Sequence, residues 1–257
     1  MVLPTTETAG QSVDIITGDG VIDARLFHPA TDGAWPGALL LTDIRGVRPA
    51  FEAMAHRLAS HGYTVLLPNL YYRAGRAPVV DPNLPVRDET ARVRRAELRA
   101  ALTQEAIRAD LTAQLTYLAS SGHVRGSQTG IVGYCMSGAF ALRAAVDFPQ
   151  RIAAAASFHG GGLATDAADS PHLQVARIKA HLYFGYADED ASMPPEMIER
   201  LEAALRDSGI PFRSDLYAGA RHGFAVADGA AFDHDAAERH WRNLIDLFDG
   251  ALVPAGP

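Results

Sequence analysis

The chain has a single cysteine, Cys135, in the run Gly133-Tyr134-Cys135-Met136-Ser137-Gly138, and further on come an acidic loop, Ala187-Asp188-Glu189-Asp190, and a histidine in Arg221-His222-Gly223-Phe224. These three residue types can act together. A thiol of ordinary pKa near 8.5 is mostly protonated at neutral pH, and an imidazole within hydrogen-bond reach converts it to the reactive thiolate. A carboxylate behind the imidazole fixes its orientation and stabilises its charged form. Attack of the thiolate on an ester or lactone carbonyl creates an oxyanion, which needs N–H donors held where the charge develops. Against this stand plainer readings: a small apolar core residue for Cys135, and a structural or surface imidazole for His222.

The elements that must position these residues alternate regularly. Gly130–Gly133 is a short apolar strand running into a small-residue turn and then a helix over Gly138–Asp147, which Phe148-Pro149 terminates. Strands are expected at Gly37–Thr42, Tyr63–Pro68, Ala153–Phe158, Ala180–Tyr186 and Phe212–Tyr217. Helical periodicity falls at Phe51–Leu58, at Asp88–Ser120 with a break, at 194–208 and at Ala236–Leu247. Ser12–Thr17 and Val21–His28, around Gly18-Asp19-Gly20, read as an antiparallel hairpin. Residues 1–11 read as a flexible tail and 12–257 as one α/β domain, a mostly parallel sheet with helices on both faces. The segment 69–90, rich in Pro and Gly and without periodicity, reads as serving a binding site.

Ligands of such sheets bind at the carboxyl ends of the strands, where the cysteine, the acidic loop and His222 all fall. Nucleophile, acid, histidine is the chain order of α/β-hydrolases, whose nucleophile occupies a strained strand-to-helix elbow. The N–H of Met136, at the start of the helix, is one expected oxyanion donor, and that of Ile44, after the third strand, the other. His159, in His159-Gly160-Gly161-Gly162, is a rival base in the wrong order and reads as a pocket-floor turn. Ser137 is a rival nucleophile without a glycine two residues before it. Asp188 and Asp190 both remain open as the acid.

Composition narrows the partners. The chain has 257 residues, 48% hydrophobic and 21% charged, with 23 Lys and Arg against 30 Asp and Glu and a formal net charge of −7. That balance argues against nucleic acid, which needs a concentrated basic face. No apolar run approaches the roughly 18 residues of a membrane span, so no membrane partner is expected. One cysteine excludes an internal disulfide, and the N-terminus has no signal-like h-region, so the cytoplasm is the expected compartment. The ten histidines show no metal-ligand spacing, so no metal is expected. Composition leaves the oligomeric state open.

Gly133-Tyr134-Cys135-Met136-Ser137-Gly138 resembles the Gly-Tyr-Cys-x-Gly-Gly elbow of the dienelactone hydrolase family, the carboxymethylenebutenolidases. Leu41-Thr42-Asp43-Ile44-Arg45-Gly46-Val47 is similar to that family's oxyanion loop, Pro68-Asn69-Leu70-Tyr71-Tyr72-Arg73 to its Pro-Asp-Leu-Tyr-x-Arg, and Asp190-Ala191-Ser192-Met193-Pro194 to its Asp-x-x-Val-Pro. The resemblance implies a Cys135–His222–Asp190 triad hydrolysing an enol-lactone in the breakdown of aromatic compounds, without a cofactor. It also implies that Asp43 stands where the family has a thiol-gating glutamate, one methylene longer, and that Arg73 binds a substrate carboxylate. Val226 stands where the family has a second carboxylate-binding arginine. Losing that charge-assisted contact points to a less polar ester or lactone. A carboxylesterase or thioesterase on the same site, and a non-catalytic ligand- or partner-binding module with a vestigial site, are the competing readings.

Overall fold

The computed structural model describes residues 6–81, 84 and 88–253. The chain is described in two compact units, residues 1–127 and 128–257.

In the first unit the strands are ordered β1 (Thr8–Thr17), β2 (Gly20–Pro29), β4 (Thr64–Pro68), β3 (Trp35–Leu41). β1 and β2 form the expected hairpin, with Thr17 opposite Gly20, and β2 runs antiparallel to β4 while β3 and β4 are parallel. The tail expected at 1–11 is shorter: Thr8 to Gln11 pair with Pro29 to Leu26, and residues 1–5 lie outside the described residues. That polar stretch shows no apolar alternation, and its partner strand supplies the backbone hydrogen bonds that extend it. β4 is buried throughout and β3 from its second residue, the mark of parallel strands covered on both faces.

Helix α1 (Pro49–Ser60) starts at a proline preset for the helical φ and buries Phe51, Met54, Ala55, Leu58 and Ala59. The helical stretch expected over 88–120 is two helices, α2 (Glu89–Ala100) and α3 (Gln104–Ser120), each capped at its start by a side chain, Asp88 or Thr103. Part of the segment 69–90, residues 82–83 and 85–87, lies outside the described residues; within the rest, Tyr72–Ala74 form a 3-10 turn.

β5 (Val124–Tyr134), which enters the second unit at Gln128 and pairs there from Thr129 on, β6 (Ile152–Phe158), β7 (His181–Glu189) and β8 (Phe212–Arg221) are all parallel. Between them come α4 (Ser137–Asp147) and α5 (Pro195–Asp207), and α6 (His234–Leu252) follows β8. α6 carries its buried side chains, among them His240, Trp241, Leu244 and Phe248, on one stripe of helical spacing and packs on β6 and β7. Among the described residues no helix is long and apolar enough to cross a membrane.

Candidate active site

β5 delivers Cys135 into the left-handed region, φ 57°. For a residue with a Cβ that conformation costs about 1–3 kcal/mol and persists only where the surroundings fix it. Here they do. The Cys135 N–H donates to Phe158 O at 3.2 Å, and its carbonyl accepts from Gly138 N and Gly161 N, both at 3.2 Å. Ser137 is fully buried; its hydroxyl donates to Tyr134 O at 3.0 Å and accepts from Tyr134 N at 2.8 Å. Ser137 thus braces the turn, while Cys135 is half-buried. A Cβ on Gly133 would strike the Ser137 backbone carbonyl, and one on Gly138 the Ser157 hydroxyl. The glycines flanking the thiol are therefore close-approach positions. Met136 N–H lies at the N-terminal end of α4, where the helix dipole favours negative charge.

Asp190 and His222 follow directly on β7 and β8. The register between these strands shifts after Ala187–Tyr217, so that Glu189 next pairs with Arg221. Such bulges re-aim side chains beside functional sites. Gly219, at φ 72°, lies in the shift and donates its N–H to Asp188 Oδ2 at 2.9 Å. Asp188 is thereby tied to the strand edge, and Asp190 meets the imidazole: Asp190 Oδ2 accepts from His222 Nδ1 at 2.7 Å. A carboxylate only accepts, so the proton sits on Nδ1. Asp190 Oδ1 accepts from the Ser192 N–H at 2.9 Å and its hydroxyl at 2.6 Å, and Ser192 Oγ lies 3.2 Å from Nδ1. The Asp190 side chain is 2% exposed and that of His222 32%.

Burial disfavours the imidazolium, but the hydrogen bond to Asp190, the neighbouring Cys135 and the charge of Asp190 outweigh it and push His222 up to about 10. Asp190 is held below the usual carboxylate range: burial opposes this, and the bonds from His222 and Ser192 overcome it. The second unit therefore brings Cys135, His222 and Asp190 together. Ser192 joins them unforeseen. Its signal in the sequence is the Asp-x-Ser spacing, which places a hydroxyl and an N–H on the preceding carboxylate.

In the first unit Asp43, Ile44 and Arg45 form a turn closed by Gly46 N–H on Asp43 O at 3.1 Å. The Asp43 carboxylate accepts from Arg45 N at 2.9 Å and, at both oxygens, from the Arg48 guanidinium at 2.7 and 2.8 Å. Arg48 is 3% exposed and has no role in the sequence reading. The Ile44 carbonyl accepts from Tyr71 O–H at 2.9 Å, which holds that peptide in one orientation. Arg73, expected to bind a substrate carboxylate, already grips two protein carboxylates: both oxygens of Asp110 at 2.8 Å and Asp19 Oδ2 at 2.7 and 3.1 Å. To hold a substrate it would have to leave them. Val226 is buried, so its position in the second unit offers no charge. Among the described residues no group of His, Cys, Asp and Glu is arranged for a metal ion.

Strand order and the strained strand-to-helix turn at Cys135 define an α/β-hydrolase fold. The sequence model of the dienelactone hydrolase family matches residues 22–252, and the chain belongs to that family. A carboxymethylenebutenolidase of Rhodococcus opacus is 28% identical over 232 residues, 88% of this chain and 86% of the relative. A Bradyrhizobium sp. protein named "Probable 2-oxo-3-(5-oxofuran-2-ylidene)propanoate lactonase" is 25% identical over 246 residues, 93% of this chain and 94% of the relative. Two solved structures share the fold. A Klebsiella pneumoniae protein with the provisional name of dienelactone hydrolase aligns with a TM-score of 0.83 at 24% identity, over 95% of this chain and 99% of its own. The dienelactone hydrolase of Anabaena variabilis aligns with a TM-score of 0.64 at 18% identity, with the same coverage.

Proposed function

We propose that the protein hydrolyses a small ester or lactone through a covalent intermediate on Cys135, and that its substrate is less polar than an anionic lactone. The observation that carries this reading is the 2.7 Å hydrogen bond between Asp190 and His222 at the strand ends beside Cys135, with the thiol on a strained elbow. His222 takes the thiol proton, and the thiolate attacks the carbonyl carbon. The oxyanion forms at the start of α4, near Met136 N–H. The intermediate collapses as the C–O bond breaks and His222 returns its proton to the leaving alkoxide, leaving a thioester on Cys135. A water molecule, deprotonated by His222, then attacks the thioester; the acid leaves and the thiol is restored. Asp190 fixes the Nδ1–H tautomer, so Nε2 serves the thiol.

The less polar substrate follows from Val226, which is buried, and from Arg73, which is saturated by Asp19 and Asp110. We read Arg73 and Asp43 as braces of their loops. A panel of dienelactone, neutral aryl esters, neutral lactones and thioesters tests the reading, with the acylated Cys135 trapped by mass spectrometry. Turnover of neutral esters or lactones above dienelactone, abolished in Cys135→Ala, is the expected result. A clear preference for dienelactone overturns the substrate class, and alkylation of Cys135 without turnover of any member overturns the enzyme reading in favour of a binding module.

A further inference from the structure

One buried titratable group of the second unit has no part in this mechanism. His159 follows β6 and is 1% exposed, and among the described residues neither of its ring nitrogens has a hydrogen-bond partner. Its backbone adopts φ 38°, left-handed for a residue that carries a Cβ, and is held there by its N–H on Gly185 O at 2.8 Å. Two orphaned polar atoms and a strained backbone all oppose folding: an unsatisfied buried group alone costs about 1–3 kcal/mol. A phenylalanine in the same place would avoid the unpaired nitrogens.

The ring touches the proposed base. Its centroid lies 5.2 Å from that of His222, at an interplanar angle of 67°, an edge-to-face contact. Phe224 meets it edge-on at 5.3 Å, and Tyr134, the residue before Cys135, lies tilted against it by 47° at 5.9 Å. Phe224 in turn stacks on Tyr217 of β8 at 4.6 Å. Behind lies His240 of α6. Its Nδ1–H donates to Ala237 O at 3.1 Å, and its Nε2 lies 2.8 Å from the Tyr134 hydroxyl. The titratable groups around His159 are thus His222, Asp190, His240 and Tyr134.

We propose that His159 is a positioning residue: its uncharged ring wedges His222 from below, so that one imidazole nitrogen stays on Asp190 while the other stays on the Cys135 thiol. His222 must satisfy two partners at once, and a tilt of its plane lengthens at least one bond. Edge-to-face contacts are directional and keep that plane fixed. Burial, with the neighbouring imidazoles His222 and His240, keeps His159 unprotonated, so it does not compete for the thiol's proton. This inference rests on Cys135 and His222 being nucleophile and base.

His159→Phe and His159→Leu test it, with melting temperatures to establish folding. The readouts are kcat and KM on a neutral ester, the pH profile of Cys135 alkylation by iodoacetamide, and the downfield Nδ1–H proton resonance of His222. Leu is expected to lower kcat about 3- to 10-fold at unchanged KM, to weaken or lose the resonance and to shift the alkylation profile; Phe, which keeps a flat ring, is expected to stay within about 2-fold of wild type. Leu matching wild type in kcat, resonance and profile overturns the positioning role alone. Phe failing as badly as Leu overturns it as well, because the ring's shape is then not what matters. Alkylation unaltered in His222→Ala overturns both this inference and the thiol–imidazole reading beneath it.

Discussion

Asp43 and Asp190 occupy the same local structure in the two units of the chain. Each follows the end of a parallel strand, β3 or β7, and each accepts the backbone N–H two residues ahead, Arg45 or Ser192, at 2.9 Å. Both carboxylates are largely buried, 13% and 2% exposed. What differs is the cation. Asp43 meets the two-pronged guanidinium of Arg48, which never releases a proton at physiological pH, whereas Asp190 meets an imidazole, which does. A carboxylate held by its own turn is thus a general-purpose anchor. In the proposed function, the titratability of its partner separates a brace from a catalytic pair.

The largest expected effect tests the working half of the comparison. Asp190→Asn should lower kcat about 10⁴-fold, because an amide that donates to Nδ1 places the imidazole proton on the nitrogen facing the thiol. Asp188→Asn, which alters only the bond from Gly219 N–H, should cost less than about tenfold. The reverse order of the two would move the acid to Asp188. Stability follows pH with a definite sign. His222 is raised in the folded state, so its share is full below about 6.5, the ordinary imidazole value, and is lost as pH rises toward about 10. Asp190 is lowered, so its share is present above its ordinary value of 3.8 and is lost as pH falls below it. Urea melts of wild type and Asp190→Asn should therefore differ most between about pH 4 and 6.5 and converge above about 10.

The next effect tests the bracing half. Arg48→Met leaves Asp43 with its turn N–H and no cation, and removing one partner of a buried ion pair costs about 3–5 kcal/mol. The lower end applies here, since Asp43 keeps some exposure to water. Denaturation should register this loss while kcat per folded molecule changes less than tenfold. Asp43→Asn sharpens the point: a brace loses stability and leaves Cys135 alkylation unchanged, whereas a carboxylate that gates the thiol would raise the alkylation rate when removed. The second outcome would break the comparison by giving Asp43 a role in the chemistry.

The alternation of strands and helices was legible because parallel strands buried on both faces, such as β4 and β6, are continuous apolar runs. Cys135 and His222 were legible because elbow, order and motif all converge on them. Asp190 needed the family motif: spacing alone left it level with Asp188, and only the β7–β8 register shift separates the two in space. Arg48, Asp110 and His159 were not legible as partners. Asp110 lies on the buried face of α3 beside Leu111 and Gln114, where it interrupts the apolar stripe, and its reason for being there, Arg73, is 37 positions away. His159 sits in a glycine-rich turn whose packing against His222 depends on the ends of two other strands. Such pairings depend on tertiary placement, which carries no periodic trace.

Ser192→Ala carries the smallest predicted effect and probes the one difference in how the two turns hold their carboxylates. Asp43 Oδ1 receives a backbone N–H and a guanidinium N–H, while Asp190 Oδ1 receives a backbone N–H and the Ser192 hydroxyl at 2.6 Å. Removing that hydroxyl also removes its 3.2 Å contact with His222 Nδ1 but leaves the bonds from Ser192 N–H and His222 to Asp190 in place, so the loss is about 1 kcal/mol. In rate this is about 3- to 10-fold in kcat, with KM unchanged, because the bond supports the imidazolium and not the substrate. The carboxylate also loses a donor that favours its ionised form, so the acid limb of the pH–rate profile should move to higher pH. Ser192→Thr, which keeps the hydroxyl, should restore both. A loss above about 100-fold in Ser192→Ala, unrescued by Thr, would mean that the turn itself has shifted, and the likeness between the two aspartates would then rest on the serine as much as on the backbone.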